Sequence, residues 1–155
     1  MLHVLIYLTI LIGCCLYSLF RGGAPERIGV GILFGAIVLS AFAPKSGPIR
    51  FQTFESGLFV VDSMMAAALI LLSLRAQRYW PMWVAAIQID VIATHLMMLS
   101  PSIMPWSYSM AMAFWSYPAS ILIAIGTWRH RQRLARYGED PAWSRPRQPV
   151  EWLPG

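Results

Sequence analysis

Charge is what this sequence has least of. Of its 155 residues only 12% are Asp, Glu, Lys or Arg, roughly half the share of an average soluble protein. None falls between Met1 and Phe20, between Ile28 and Pro44, or between Val91 and Trp128. Cysteine is nearly absent too. The two that occur, Cys14 and Cys15, are adjacent, which excludes a disulfide framework and makes a bond between them geometrically poor. They read as small packing residues. There are three histidines, and neither CxxC nor HExxH spacing occurs, so the usual metal signatures are missing. These deficits, beside 57% apolar residues, exclude a disordered chain, a disulfide-stapled secreted domain and an ordinary soluble enzyme. What remains is an all-α integral membrane protein, a small helical bundle of one domain.

About 20 apolar residues cross the hydrocarbon core of a bilayer. Residues 2–20, 28–43, 55–74 and 79–99 fit that length. The last uncharged run is too long for one crossing, and Ser100-Pro101-Ser102 and Pro105 are turn formers. Splitting it there predicts a fifth transmembrane helix over 106–128, with a basic helix end to 138. Residues 139–155, which contain Pro141, Pro146, Pro149 and Pro154, then form an extended cytoplasmic tail.

Lysine and arginine in short loops set orientation. Placing Arg129, Arg131, Arg133 and Arg136 inside also places Arg21, Arg27, Arg75 and Arg78 inside. Only Lys45 and Arg50 stay outside. The expected topology is N-out and C-in. Tyr79, Trp80, Trp83, Trp106, Tyr108 and Trp128 sit at span ends in the manner of an interfacial aromatic belt.

Two patterns mislead. Leu11-Ile-Gly-Cys14 looks like a lipoprotein cleavage box, but no basic residue precedes it and the apolar run continues beyond it. Gly29-Val-Gly31-Ile-Leu-Phe-Gly35 has the wrong spacing for a nucleotide loop. Its Gly31 and Gly35 form a GxxxG, which predicts a close helix-packing face. Ser109, Ser116, Ser120 and Thr127 belong to a second stripe of small residues on span five, with hydroxyls available for interhelical hydrogen bonds.

Ionisable groups inside a membrane are costly and therefore functional candidates. At 100° per residue, Glu55 and Asp62 share a face of span three, and Gln88 and His95 share one on span four. Asp90 and Thr94 lie on roughly the opposite side, which places span four centrally. The short turn 75–78 makes spans three and four an antiparallel pair and brings His95 within reach of either carboxylate. The expected polar cluster is Glu55, Asp62, Gln88 and His95, with Asp90 nearby. Such a cluster can be interhelical glue, a proton or ion relay, a ligand or metal site, or a catalytic centre. No serine has a nucleophile's setting. His3 is at the extreme N-terminus and His130 in the cytoplasmic segment, so His95 has no evident second imidazole for haem. Met97, Met98, Met104, Met110 and Met112 gather near His95 and could suit Cu(I), but their spacing is irregular and Met64 and Met65 show that methionine is simply common. No cofactor and no metal are expected.

The segment after span five carries a net charge of +3, six arginines against Glu139, Asp140 and Glu151. Arg129, Arg131, Arg133 and Arg136 should lie against anionic headgroups, at about 1 kcal/mol each. Trp143 and Trp152 are large apolar groups suited to the interface or to a partner. The positive-inside bias accounts for the overall charge of +5, so nucleic acid is not an expected partner. Arg21-Gly-Gly-Ala-Pro-Glu-Arg27 after a first span, and Trp-Arg-His-Arg-Gln-Arg-Leu-Ala-Arg-Tyr-Gly138 after a last one, resemble a group of small bacterial inner-membrane proteins. The resemblance covers most of the chain. It implies a bacterial inner membrane, but no particular activity. Small size, small-residue stripes and the lack of a catalytic set point to a non-enzymatic accessory, stabilising or assembly subunit of a larger membrane complex, or a homo-oligomer. The alternative is proton- or ion-coupled transport through the Glu/Asp/His cluster.

Overall fold

The computed structural model describes residues 2–43, 56–97 and 105–144. It is all-helical, with five helices: α1 (Leu2–Arg21), α2 (Ala24–Phe42), α3 (Ser56–Arg75), α4 (Trp80–Met97) and α5 (Pro105–Tyr137). Each helix packs on the next in the chain, and α5 returns to α1 and also touches α2. The result is a closed ring of five helices. Two of them, α2 and α3, are long and apolar enough to cross a membrane, while Leu5–Arg21 of α1 is apolar but shorter. In both α2 and α3 only 28% of the apolar window is buried within the chain. Phe34 and Phe42 on α2, and Met64, Leu71 and Leu74 on α3, point outward.

The connections explain the ring. Only Gly22 and Gly23 separate α1 from α2, and the Gly22 N–H donates to the Ser18 carbonyl at 2.9 Å. A Cβ at Gly22 would collide with that carbonyl and with the Glu26 side chain. Helix α2 therefore starts four residues before the apolar run that marks it in the sequence. Pro25 sits in its first turn, where its fixed φ is already helical and no N–H is missed. Glu26 reaches back to accept the Gly23 N–H at 3.1 Å, as a helix-capping glutamate does. The turn between α3 and α4 is also short, four residues. Helix α5 runs unbroken through Pro118 and stops at Gly138, whose φ is 75°, the left-handed conformation of a helix C-terminus.

Beyond Gly138 the chain folds back rather than extending away. Ala76 and Trp143 form an isolated antiparallel bridge. The Gln77 N–H donates to Ala142 at 3.1 Å and the Ser144 N–H donates to Arg75 at 2.9 Å. Up to Ser144, then, the expected free tail is bonded to the α3–α4 turn.

The core is apolar and continuous. Leu69, Ile123 and Val84 are its most buried members, with Leu72, Ala76, Trp80 and Ala85 toward the arginine-bearing end. Cys14 and Cys15 are both free thiols, and Cys15 packs against this core. Trp80 departs from the expected aromatic belt. Tyr79 and Trp83 are exposed, but Trp80 is buried, and its indole fills the space left by Gly29 on α2 and Gly126 on α5.

Candidate functional site

Asp62 lies thirteen residues before Arg75 in α3, about 20 Å from the arginine-bearing end at 1.5 Å per residue. It points across to α4. Its Oδ2 is 2.8 Å from His95 Nε2, and its Oδ1 accepts from Gln88 Nε2 at 3.0 Å. Gln88 and His95 are seven residues apart, two helical turns, so one carboxylate spans both from between them. Phe59, on the turn of α3 before Asp62, sets its ring edge-on to the imidazole at a centroid distance of 6.0 Å. The His95 side chain is 1% exposed and that of Asp62 is 19%. Asp62 is open because it faces a pocket of about 270 Å³. All five helices contribute to that pocket: Tyr7 from α1, Leu33, Ala36, Ile37 and Ser40 from α2, Asp62 and Met65 from α3, Gln88 and Val91 from α4, and Ala119 from α5. Tyr7 in turn meets Tyr117 edge to face at 5.2 Å.

Of the expected cluster, the structure brings together Asp62, Gln88 and His95. Glu55 lies outside the described residues. Asp90 does not join: it is exposed, and its backbone carbonyl accepts from the Thr94 hydroxyl at 2.8 Å. The expectation that α4 is buried on two sides fails at this residue. Gly31 and Gly35 also differ from expectation, because a Cβ at either would meet nothing within 4 Å. Among the described residues they pack on no helix. In the α5 stripe, Thr127 donates to Ser18 at 2.9 Å, and both are fully buried between α5 and α1. Ser120 bonds the Tyr117 carbonyl of its own helix at 3.0 Å. The side chains of Ser109 and Ser116 lie outside the described residues.

A second polar centre sits at the arginine-bearing end, and nothing in the sequence reading singles it out. Glu26 is fully buried. Its Oε1 accepts from Trp80 Nε1 at 3.1 Å and from Arg78 Nε at 3.3 Å. Arg78, also buried, turns its other nitrogens to the returning chain. Nη1 donates to the Pro141 carbonyl at 2.9 Å and to the Gln77 carbonyl at 3.1 Å, and Nη2 lies 2.7 Å from Asp140 Oδ2. His130 Nδ1, 2.6 Å from Asp140 Oδ2, and Arg133 Nε, 2.9 Å from Oδ1, complete the cage. Arg133 Nε is thus held by Asp140, with 34% of its side chain exposed, and Arg129, Arg131 and Arg136 are exposed. Burial alone would raise the Asp140 carboxyl. Hydrogen bonds from Arg133 and His130 and the charge of Arg78 outweigh it and hold the group below the ordinary carboxylate range.

The two centres do different chemistry. At Asp62 a carboxylate with two donors lines an open space, so it retains lone pairs for a further partner. At Glu26 every acceptor is used inside the protein, and the centre is a clasp. Of the hydroxyls near Asp62, Ser63 donates to the Phe59 carbonyl at 2.7 Å and Thr94 to that of Asp90, while Ser40 lines the same pocket. Among the described residues no three His, Cys, Asp or Glu side chains gather as a metal site would require. Comparisons with protein-family models, with curated proteins and with solved structures find no match to this chain.

Proposed function

We propose that this chain is a non-enzymatic integral membrane protein whose helices all cross the bilayer, N-out and C-in, and that it serves as an accessory or assembly subunit of a membrane complex. One observation carries the reading: α2 turns an apolar face outward that contains Gly31 and Gly35, with none of the described residues packed on either. In lipid, helices associate through close packing on such small residues, and an outward GxxxG leaves room for a helix from another subunit. The sparse burial of α2 and α3 supports lipid as the surroundings, since apolar surface this extensive is unfavourable in water. All the arginines of the short α1–α2 and α3–α4 connections, and those of the α5 end, fall at one end of the bundle. That is the pattern of a cytoplasmic face.

The test uses the full-length protein extracted in a mild detergent. Gly31→Leu with Gly35→Leu should abolish association with its partner subunit, or with a second copy, and leave the thermal unfolding of the isolated chain unchanged. Retained association would remove the reading. Reporter fusions after Ser102 and after Arg136 should read outside and inside, and the reverse would overturn the topology.

Proton- or ion-coupled transport is the second reading, and the Asp62–His95 pair on a pocket favours it. Against it stand Met65, Leu69, Leu72, Val84 and Ile123, a buried apolar layer between that pair and the Glu26 clasp.

A further inference from the structure

We propose that the pocket at Asp62 binds a small organic cation, an ammonium carried on an apolar body, with Asp62 as its counter-charge. The space, about 270 Å³, is near the lower end for small-molecule pockets, so it admits a compact head rather than a whole lipid. Most of its wall is apolar, formed by Leu33, Ala36, Ile37, Met65 and Val91. Among the described residues its ionisable lining groups are the Asp62 carboxylate and the Tyr7 phenol. No lysine or arginine is among those described residues, so a phosphate, sulfonate or carboxylate finds no cationic partner on them, and burying it unpaired is costly. A cation finds the reverse. Asp62 lines the space with 19% of its side chain exposed, and each of its oxygens has one neighbouring nitrogen and keeps further acceptor capacity. The Tyr7 ring also lines the space, and aromatic rings attract ammonium groups electrostatically.

His95 gives this site a competitor for the cation. With His95 neutral, the pair carries one negative charge that an ammonium cancels. With His95 protonated, the pair is already neutral and a cation is left unpaired in a poorly solvated space. Proton and cation are thus alternative partners of Asp62. Among the described residues the other titratable group lining the site is the phenol of Tyr7 from α1, which meets Tyr117 of α5, while α2 presents Leu33, Ala36, Ile37 and Ser40, none of which titrates. This proposal rests on the pocket alone and does not depend on the assembly reading.

The experiment is calorimetric titration of the full-length protein, in nanodiscs of uncharged lipid, with benzyltrimethylammonium. Wild type should bind one equivalent saturably, at least about tenfold more weakly at pH 5.5 than at pH 8. Asp62→Asn should abolish binding. Ala36→Phe, which fills the pocket and leaves the carboxylate, should abolish it as well, and this variant carries the test if Asp62→Asn fails to fold. His95→Gln, which can still donate to Asp62, should bind with no pH dependence. Equal uptake by wild type and both blocking variants means partition into lipid and overturns the site, as does the absence of saturable uptake by wild type. Binding of benzenesulfonate at comparable strength overturns the charge assignment, and pH-independent binding by wild type overturns the competition.

Discussion

Arg78 Nε lies 3.3 Å from Glu26 Oε1, and both side chains are closed off from the surroundings. The pair joins the start of α2 to the start of α4. Removing one member of a buried ion pair typically costs about 3–5 kcal/mol, because the other charge is left without compensation. Glu26→Ala should fall in that range in detergent unfolding, since the Gly23 N–H, the Trp80 indole and Arg78 all lose their acceptor. Glu26→Gln should cost less, its amide oxygen still serving Trp80. Arg27→Ala, next in sequence but exposed, should stay within about 0.5 kcal/mol. Equal effects for Glu26→Ala and Arg27→Ala would show that the clasp is not a stabilising contact.

Four glycines divide into two pairs with opposite expected behaviour. Gly29 and Gly126 both face the Trp80 ring so closely that a Cβ would overlap it. Gly29→Ala and Gly126→Ala should each lower stability by about 1–3 kcal/mol, the usual range for overpacking. Gly31→Ala and Gly35→Ala meet open space and should be neutral, or stabilising by up to about 1 kcal/mol, because alanine is the better helix former. In a Trp80→Ala background the penalty at Gly29 and Gly126 should vanish, which a double-mutant cycle reads directly.

The clasp at Asp140 carries a pH dependence with a definite sign. Its carboxyl titrates lower in the folded protein than in a free chain, so the returning segment is held at full strength above the ordinary aspartate value of about 3.9. The contribution is lost as pH falls through the lower, folded value. Amide protection of Ser144 and Gln77, which bond across the α3–α4 turn, should fall with it after correction for intrinsic exchange. Asp140→Asn should show the same loss of protection at neutral pH. Protection in that variant equal to wild type would mean that the Ala76–Trp143 bridge holds the segment unaided.

The helical architecture is legible in the sequence because it rests on a few strong local signals: long uncharged runs punctuated by Gly, Pro and Arg. The antiparallel α3–α4 pair is legible for the same reason. A four-residue turn fixes which residues are level, and seven-residue spacing puts Gln88 and His95 on one face. What escapes is the outcome of close packing. Ala24-Pro-Glu-Arg27 reads as a polar joint, although glycine, then proline, then glutamate is also how a helix starts. Trp80 reads as an interfacial aromatic because its burial depends on two distant glycines. Asp140 reads as part of a free tail because its partners, Arg78, His130 and Arg133, sit on two other segments. Gly31 and Gly35 show the converse. A pairwise motif gives a face but not its partner, and among the described residues that face is left open.

The last expectation concerns Asp62 and separates transport from binding. Hydrogen bonds between helices in membranes average about 0.6 kcal/mol and reach roughly 1.7. Asp62→Asn keeps the size of the side chain and its bonding to Gln88, and should be nearly silent in thermal unfolding. Asp62→Leu gives up both interhelical bonds and should be measurably less stable. A relay makes a different demand, a hydrated route from the pair to both faces. Toward the arginine-bearing end the route from Asp62 meets Met65, Leu69 and Leu72, none of which can carry a proton. Proteoliposomes containing wild-type protein should therefore show no proton flux above empty vesicles between about pH 5 and 8. Flux that is present in wild type and lost together in Asp62→Asn and His95→Gln would establish the relay, because a proton path fails at any broken step. It would also require the apolar layer to open during turnover, and the assembly reading would give way to transport.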